Sequence, residues 1–298
     1  MKKSKFNEKE PTLLSSIDLK MTKYRCIYWV MFGILCVVAC VCIFPILWVF
    51  MSAFKDLQEF LSVPPTLIPH SFHPEKVLKV WKSLSFGKYY YNSLVLIVGN
   101  LVCCIFFNGV FGYVISRLKP KGYKLAFLLV FWTMLIPHSM NMVPLYMSFV
   151  KVPLIHINIT NTFLPMFIMA GANAYETLLF KNFFDGIPDS YIEAAKLDGC
   201  TNLGIFFRII IQISKPILMV VSIFSVQGSW GAFFWPYLTI QEPSRQPVAV
   251  LLYTLGSGTL PQDQYVIVLM FAIIPVLIIF SIFSKYILGG SNMSGVKG

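Results

Sequence analysis

Ile187-Pro188-Asp189-Ser190-Tyr191-Ile192-Glu193-Ala194-Ala195-Lys196-Leu197-Asp198-Gly199 is a water-compatible, helix-favouring stretch in a chain that is otherwise mostly apolar. Pro188 stops what precedes it. Ser190 with Glu193 fits a capping box, and Gly199 fits the place just past a helix end where a left-handed backbone is needed. A helix of about nine residues results, marginal alone in water because nucleation is costly. It therefore needs a surface. Ala194 and Ala195 leave a smooth patch where another backbone can approach, with Tyr191 and Ile192 expected to be exposed beside it, which makes a docking helix the sharper reading. A plain cap explains Glu193 as well, and helix propensity explains the alanines. Thr201 or Asn202 can cap the helix that follows.

The surroundings of this stretch set the fold class. Of the 298 residues 57% are hydrophobic and 12% charged, a balance that belongs to an integral membrane protein. Six apolar runs stand at about 27–53, 92–116, 125–148, 161–180, 209–240 and 264–288, each long enough to cross a bilayer. The expected fold is an all-α membrane protein of about six transmembrane helices. Pro137 and Pro144 predict a kinked or broken third span, and Gly228-Ser229-Trp230-Gly231 an interruption of the fifth. Tyr89-Tyr90-Tyr91 suits a headgroup belt.

The expected division is a basic cytoplasmic tail over 1–26 and the first span with an outer loop over 27–89. A core of five spans over 90–288 and a cytoplasmic tail over 289–298 follow. Placing both ends in the cytoplasm puts most of the 24 Lys and Arg residues inside, and with them the stretch around Glu193, between spans four and five. The formal charge of +11 then reads as topology control and attraction to anionic lipid headgroups, with no nucleic acid partner. The first apolar run is too long and too late for a cleaved leader, and stays as a span.

Chemistry-bearing constellations are few. The seven cysteines lack zinc spacing and read as small hydrophobes, so no metal is expected. His70, His73, His138 and His156 fall in or near outer segments, and no nucleophilic triad or paired carboxylate stands out. An enzyme is not expected. There is no phosphate-binding loop, so ATP is not held by that route. Glu176 is the single acid inside a span and a candidate intramembrane polar site. Alternatively it lies close enough to Lys181 to reach the interface or pair with a basic group.

The residues resemble a known family at this point. Glu193-Ala194-Ala195, with Asp198-Gly199 following, is similar to the E-A-A loop of ABC importer permeases in its sugar-type variant. Asn92-Ser93, Phe111-Gly112-Tyr113 near Arg117, Phe183-Phe184 with Ile187-Pro188, Trp230 with Trp235-Pro236, Ile274-Pro275 and Val296-Lys297-Gly298 extend the resemblance over about 27–298. The terminal signature resembles the smaller permease subunit of maltose-type systems. The resemblance implies a second permease subunit, a cytoplasmic ATPase dimer that binds ATP and Mg, and an extracytoplasmic solute-binding protein delivering a sugar. This chain would hold no cofactor and would sit in a bacterial cell membrane as a multi-pass protein. Tyr191, Ile192, Glu193, Ala194, Ala195, Asp198 and Gly199 would form the ATPase-coupling helix; Trp230, Gly231 and Phe234 would flank the translocation path.

Two departures matter. Gln212 stands after Ile209-Ile210-Ile211 where the family usually has proline, so no kink is expected at the opening of the fifth span. Gly231-Ala232 replaces a polar pair, removing polar contacts if that segment lines the path. Other readings are an importer of a non-sugar solute, a secondary transporter, or a membrane enzyme or scaffold. A secondary transporter needs coupling-ion groups at the midplane, where only Glu176 competes.

Overall fold

The computed structural model describes residues 22–289, all helical where regular structure forms. The basic tail at 1–21 and the terminal tail at 290–298 lie outside the described residues. The chain divides between Phe72 and His73 into two compact units.

The first unit holds helix α1 (Thr22–Ser52) and helix α2 (Leu57–Phe60). α1 is apolar all round with its side chains exposed, the pattern of a helix made for lipid or protein rather than water. Asp56 caps α2 by accepting from the Glu59 N–H at 2.6 Å. The Glu59 carboxylate in turn accepts from Thr66 Oγ1 at 2.9 Å and the His70 N–H at 2.8 Å, folding the following loop upon itself.

The second unit begins with α3 (Pro74–Ser83) and α4 (Phe86–Cys103). α4 runs on without a break through a π-turn (Cys104–Asn108), α5 (Gly109–Tyr113) and a second π-turn (Val114–Leu118). Then come α6 (Tyr123–Thr133), α7 (His138–Val150), α8 (Leu164–Gly171), α9 (Ala174–Asp185), α10 (Asp189–Leu197) and α11 (Asn202–Ile205). A third π-turn (Phe206–Ile210), α12 (Ile211–Ile213), α13 (Lys215–Trp230), α14 (Phe234–Thr239), α15 (Val248–Gly256) and α16 (Gln262–Gly289) complete it.

The continuous helix Phe86–Leu118 is the axis of this unit. Asn92, Leu96, Asn100, Cys104, Asn108, Gly112 and Ser116 recur every fourth residue along it, all buried. In an ideal α-helix four residues overshoot a turn by about 40°, so such a stripe winds off one face. The wider π-turns reverse that drift and keep the stripe facing its neighbours. Glycine brings those neighbours close: a Cβ on Gly112 would lie 2.9 Å from Phe180 Cβ and 3.2 Å from the Lys181 nitrogen. Apolar solvent gives helices no hydrophobic reason to associate, so close backbone approach of this kind has to supply the attraction. At the other end Tyr90 donates to the Phe271 carbonyl on α16, and so faces protein instead of a headgroup belt. Asn92 donates to the carbonyls of Ser244 and Gln246 at 2.8 and 3.0 Å, while Ser93 Oγ accepts the first free N–H of α15, from Val248, at 2.9 Å.

Among the described residues three helices can cross a membrane by length and composition, Tyr24–Ser52, Phe86–Leu118 and Gln262–Ser284, or four if a bent pair counts as one span. That pair corrects the sequence reading. Asn202–Ile213 and Lys215–Trp230 meet at 82°, so the fifth span opens with a sharp bend despite Gln212. The cause is Pro216, which enters α13 in its first turn, lacks an N–H and disfavours helical backbone before it. The interruption expected from Gly228 starts later: α13 runs through Ser229 and Trp230 and stops at Gly231. The third span is broken as its prolines predict, between Thr133 and His138. The fourth, read as one run, is two helices parted at Ala172-Asn173, where Asn173 caps α9 by accepting from the Glu176 N–H at 3.2 Å.

Candidate functional site

α10 forms where the sequence puts it, with different ends. Pro188 occupies the cap position and no side-chain cap bond is made, so the Ser190–Glu193 capping box does not form: Ser190 lies inside the first turn. The other end is as read. Gly199 has φ +76°, its N–H donates to Lys196 at 3.0 Å and the Cys200 N–H to Ala195 at 3.0 Å, the paired bonds of a Schellman stop. Thr201 Oγ1 accepts from the Gly204 N–H at 3.2 Å and starts α11.

The faces of α10 also differ from expectation. Ile192 and Ala195, one turn apart, are buried in a core with Phe184, Ile187, Ile205 and Phe206, so Ile192 is not exposed and the two alanines do not share a patch. Tyr191, Glu193, Ala194, Asp198 and Gly199 face outward. So does Leu197, 90% exposed and passed over in the sequence although it continues the three-residue step from Tyr191 and Ala194.

Arg117 fixes this helix to the axis. From the end of the second π-turn its guanidinium donates to the Asp189 carboxylate in the first turn of α10 and to the carbonyls of Phe184 and Ile187. The Phe184 carbonyl, in the last turn of α9, also accepts the Ile187 N–H at 3.1 Å, and Ile187 lies between the helices; the planar fork of arginine reaches both carbonyls while holding the acid. Ser116 adds a bond to Asp185 Oδ1 at 2.6 Å, and Lys181 pairs with Asp185 Oδ2 at 2.7 Å. Partial burial pushes the Asp185 carboxyl up, but the bonds from Lys181 and Ser116 outweigh it and hold the group below the usual aspartate range. Sequence reading treats Arg117 only as a topology charge; its partners lie some seventy residues away, and no local signal announces them.

A second constellation lies deeper. Glu176 is 7% exposed and accepts at Oε2 from Cys104 Sγ (2.6 Å) and Asn108 Nδ2 (3.1 Å). It is buried and does not pair with Lys181, which is committed to Asp185. Asn108 also donates to the Ala170 carbonyl at 2.8 Å and accepts the Asn173 N–H at 3.1 Å, bridging the break in the fourth span. Glu176 lines a cavity of about 520 Å³ with Gly231 and Phe234, and with Asn100, Asn173, Ser229 and Trp235, none of which the sequence singled out as site residues. Trp230 lies outside the lining, its ring 6.1 Å from that of Tyr90.

A unit with helices long and apolar enough to cross a membrane and a cavity of mixed polar and apolar lining fits a transport permease. The chain belongs to the family described as binding-protein-dependent transport system inner membrane component, whose profile matches residues 93–288. The arabinooligosaccharides transport system permease protein AraQ of Bacillus subtilis is 32% identical over 86% of this chain and 91% of its own length. The polygalacturonan/rhamnogalacturonan transport system permease protein YtcP, also from Bacillus subtilis, is 27% identical over 93% of this chain and 100% of its own. Among solved structures, a bacterial ABC transporter involved in import of the acidic polysaccharide alginate superimposes with a TM-score of 0.79. It is 20% identical, covers 89% of this chain and 98% of the other, and shares the fold. Family and relatives are permeases, not enzymes.

Proposed function

We propose that this chain is the transmembrane permease subunit of an ATP-driven importer that moves a sugar or oligosaccharide into the bacterial cytoplasm by alternating access. Six spans, with the broken third, fourth and fifth each counted once, and both termini inside complete the arrangement. The carrying observation is α10, whose inner face is locked into the core while Tyr191, Ala194 and Leu197 stand bare outside. In this reading that outer face docks in a cytoplasmic ATPase, which holds ATP and Mg, and rigid-body closure of the ATPase pair passes through α10 into the spans. A second permease subunit completes the pore and a solute-binding protein delivers the cargo. The names of AraQ and YtcP support a saccharide as that cargo. Gly231, Phe234 and Glu176 face the path through the cavity, and Trp230 stands behind it against Tyr90.

Affinity purification of the chain in mild detergent tests this. A second permease and an ATPase should co-purify, and replacing Gly199 by leucine, which its left-handed backbone resists, should abolish saccharide-stimulated ATP hydrolysis while the chain still inserts. Recovery as an active lone protein would sink the reading.

A further inference from the structure

The cavity carries a statement about cargo chemistry that the fold does not. Its polar equipment is one carboxylate, two amides and hydroxyl groups; none of the described residues that line it is Lys, Arg or His. Both protein donors on Glu176 converge on Oε2, so Oε1 takes neither. Asn100, 7% exposed, gives its amide to Ser229 Oγ at 2.8 Å, and its Oδ1 is buried with no hydrogen-bond partner. Glu176 Oε1 is thus left without either of those donors, while the Ser229 hydroxyl, already accepting, still has a proton to give. A polyol answers this set, because each hydroxyl both donates and accepts. Trp235, also in the lining, adds aromatic surface of the kind on which the C–H face of a sugar ring packs.

An anionic saccharide meets the opposite situation. Its carboxylate must shed water, finds no Lys, Arg or His in the lining and meets the Glu176 carboxyl where it needs a cation. The nearby Lys181 offers no relief, being paired with Asp185. From this geometry we infer that the cavity is a saccharide subsite built for neutral, hydroxyl-rich units, with Glu176 as the residue that excludes uronic acids. The inference rests on the sugar-importer reading and narrows it.

The test uses the assembled permease–ATPase complex purified without its solute-binding protein, so that delivery does not decide the outcome. The probes are a neutral galactotriose and a trigalacturonate of the same length, with the shift in Tm against concentration as the readout. The neutral trimer should bind at least about tenfold more tightly in the unmodified complex. Glu176→Gln, which keeps the shape and an acceptor for Cys104 and Asn108, should shrink that gap to about threefold or less. Asn100→Asp, adding a carboxyl to the lining, should widen it, and gives an answer even if Glu176→Gln fails to assemble. Equal binding of the two trimers, or a gap unmoved by both variants, overturns the inference, and so does the absence of any binding. The importer reading is judged apart from this, by saccharide uptake in cells lacking the chain: lost uptake keeps it standing whatever the cavity binds, and unchanged uptake removes it.

Discussion

Two polar clusters hang on the helix Phe86–Leu118, one at its Arg117 end and one at its middle, and they are satisfied in opposite ways. At the end, the terminal nitrogens of Arg117 are taken by Asp189 and two carbonyls, and Asp185 is held by Ser116 and Lys181. Opposite charges are matched there, and among these groups only the Arg117 Nε is buried without a partner. At the middle, Glu176 has two neutral donors on one oxygen and no cation, and the Asn100 Oδ1 has nothing. The first arrangement suits a joint that must not give, since each bond is charge-assisted and geometrically fixed. The second leaves hydrogen-bonding capacity for something that comes and goes.

The sharpest way to break this contrast is to remove the joint. Arg117→Ala removes the guanidinium from the Ile187 and Phe184 carbonyls and from Asp189; Phe184 keeps the Ile187 N–H and the exposed Asp189 is resolvated, so the loss should be about 1–3 kcal/mol. Because α10 would still be held by Ile192 and Ala195, the chain should insert and the complex assemble. Saccharide-stimulated ATP hydrolysis should fall at least about tenfold relative to basal hydrolysis. Arg117→Lys should recover little, since an ammonium cannot span the fork. A stimulated-to-basal ratio unchanged in Arg117→Ala would show the joint to be dispensable.

A smaller effect is expected from the packing that positions both clusters. At Gly112 a valine would bring its Cβ against the Lys181 nitrogen and the Thr177 carbonyl, 3.2 and 3.3 Å away, and backbone cannot turn aside as a flexible side chain does. The cost should be about 1–3 kcal/mol, read as a lower Tm of the purified complex. Gly122 has open space where a methyl would go, but it is no control because its φ of +87° penalises any side chain. Gly228, open and at ordinary φ, is the control, and Gly228→Ala should leave Tm nearly unmoved. Equal losses at Gly112 and Gly228 would mean that helix approach is not what the glycine serves.

The helices are legible in the sequence; the contacts that make the joint and the cavity are not. Length and apolarity reveal the three long apolar helices, and Gly199 announces the end of α10, because both are properties of adjacent residues. The start of α10 escapes the S-x-x-E pattern because proline can occupy a cap position without offering a side-chain bond. The bend at Ser214 escapes a search for proline directly after Ile211, since the proline stands at 216. Glu176 invites comparison with Lys181, five residues on, whereas its partners Cys104 and Asn108 are on another helix. Spacing along one helix carries no record of which stripe on a second helix it will meet.

The smallest effect distinguishes the two clusters by acid. Asp185 lies at the joint with its carboxyl held below the ordinary aspartate range, burial pushing it up and the bonds from Lys181 and Ser116 pulling it further down. A carboxyl depressed in the folded state adds stability that is fully present above its unfolded pKa and is lost as pH falls through the folded one. The window therefore opens near the ordinary aspartate value and extends below it, well under neutral pH. Lys181 and Asp185 are both partly exposed, so solvent screens the pair and the effect is modest. Between pH 7 and 5 the Tm of Asp185→Asn should run parallel to that of the unmodified complex. Below about pH 4 the unmodified protein should lose stability faster and the two curves converge. Convergence already between pH 7 and 5 would place the titrating group elsewhere, and parallel curves throughout would mean that the bonds from Ser116 and Lys181 hold Asp185 no better folded than unfolded.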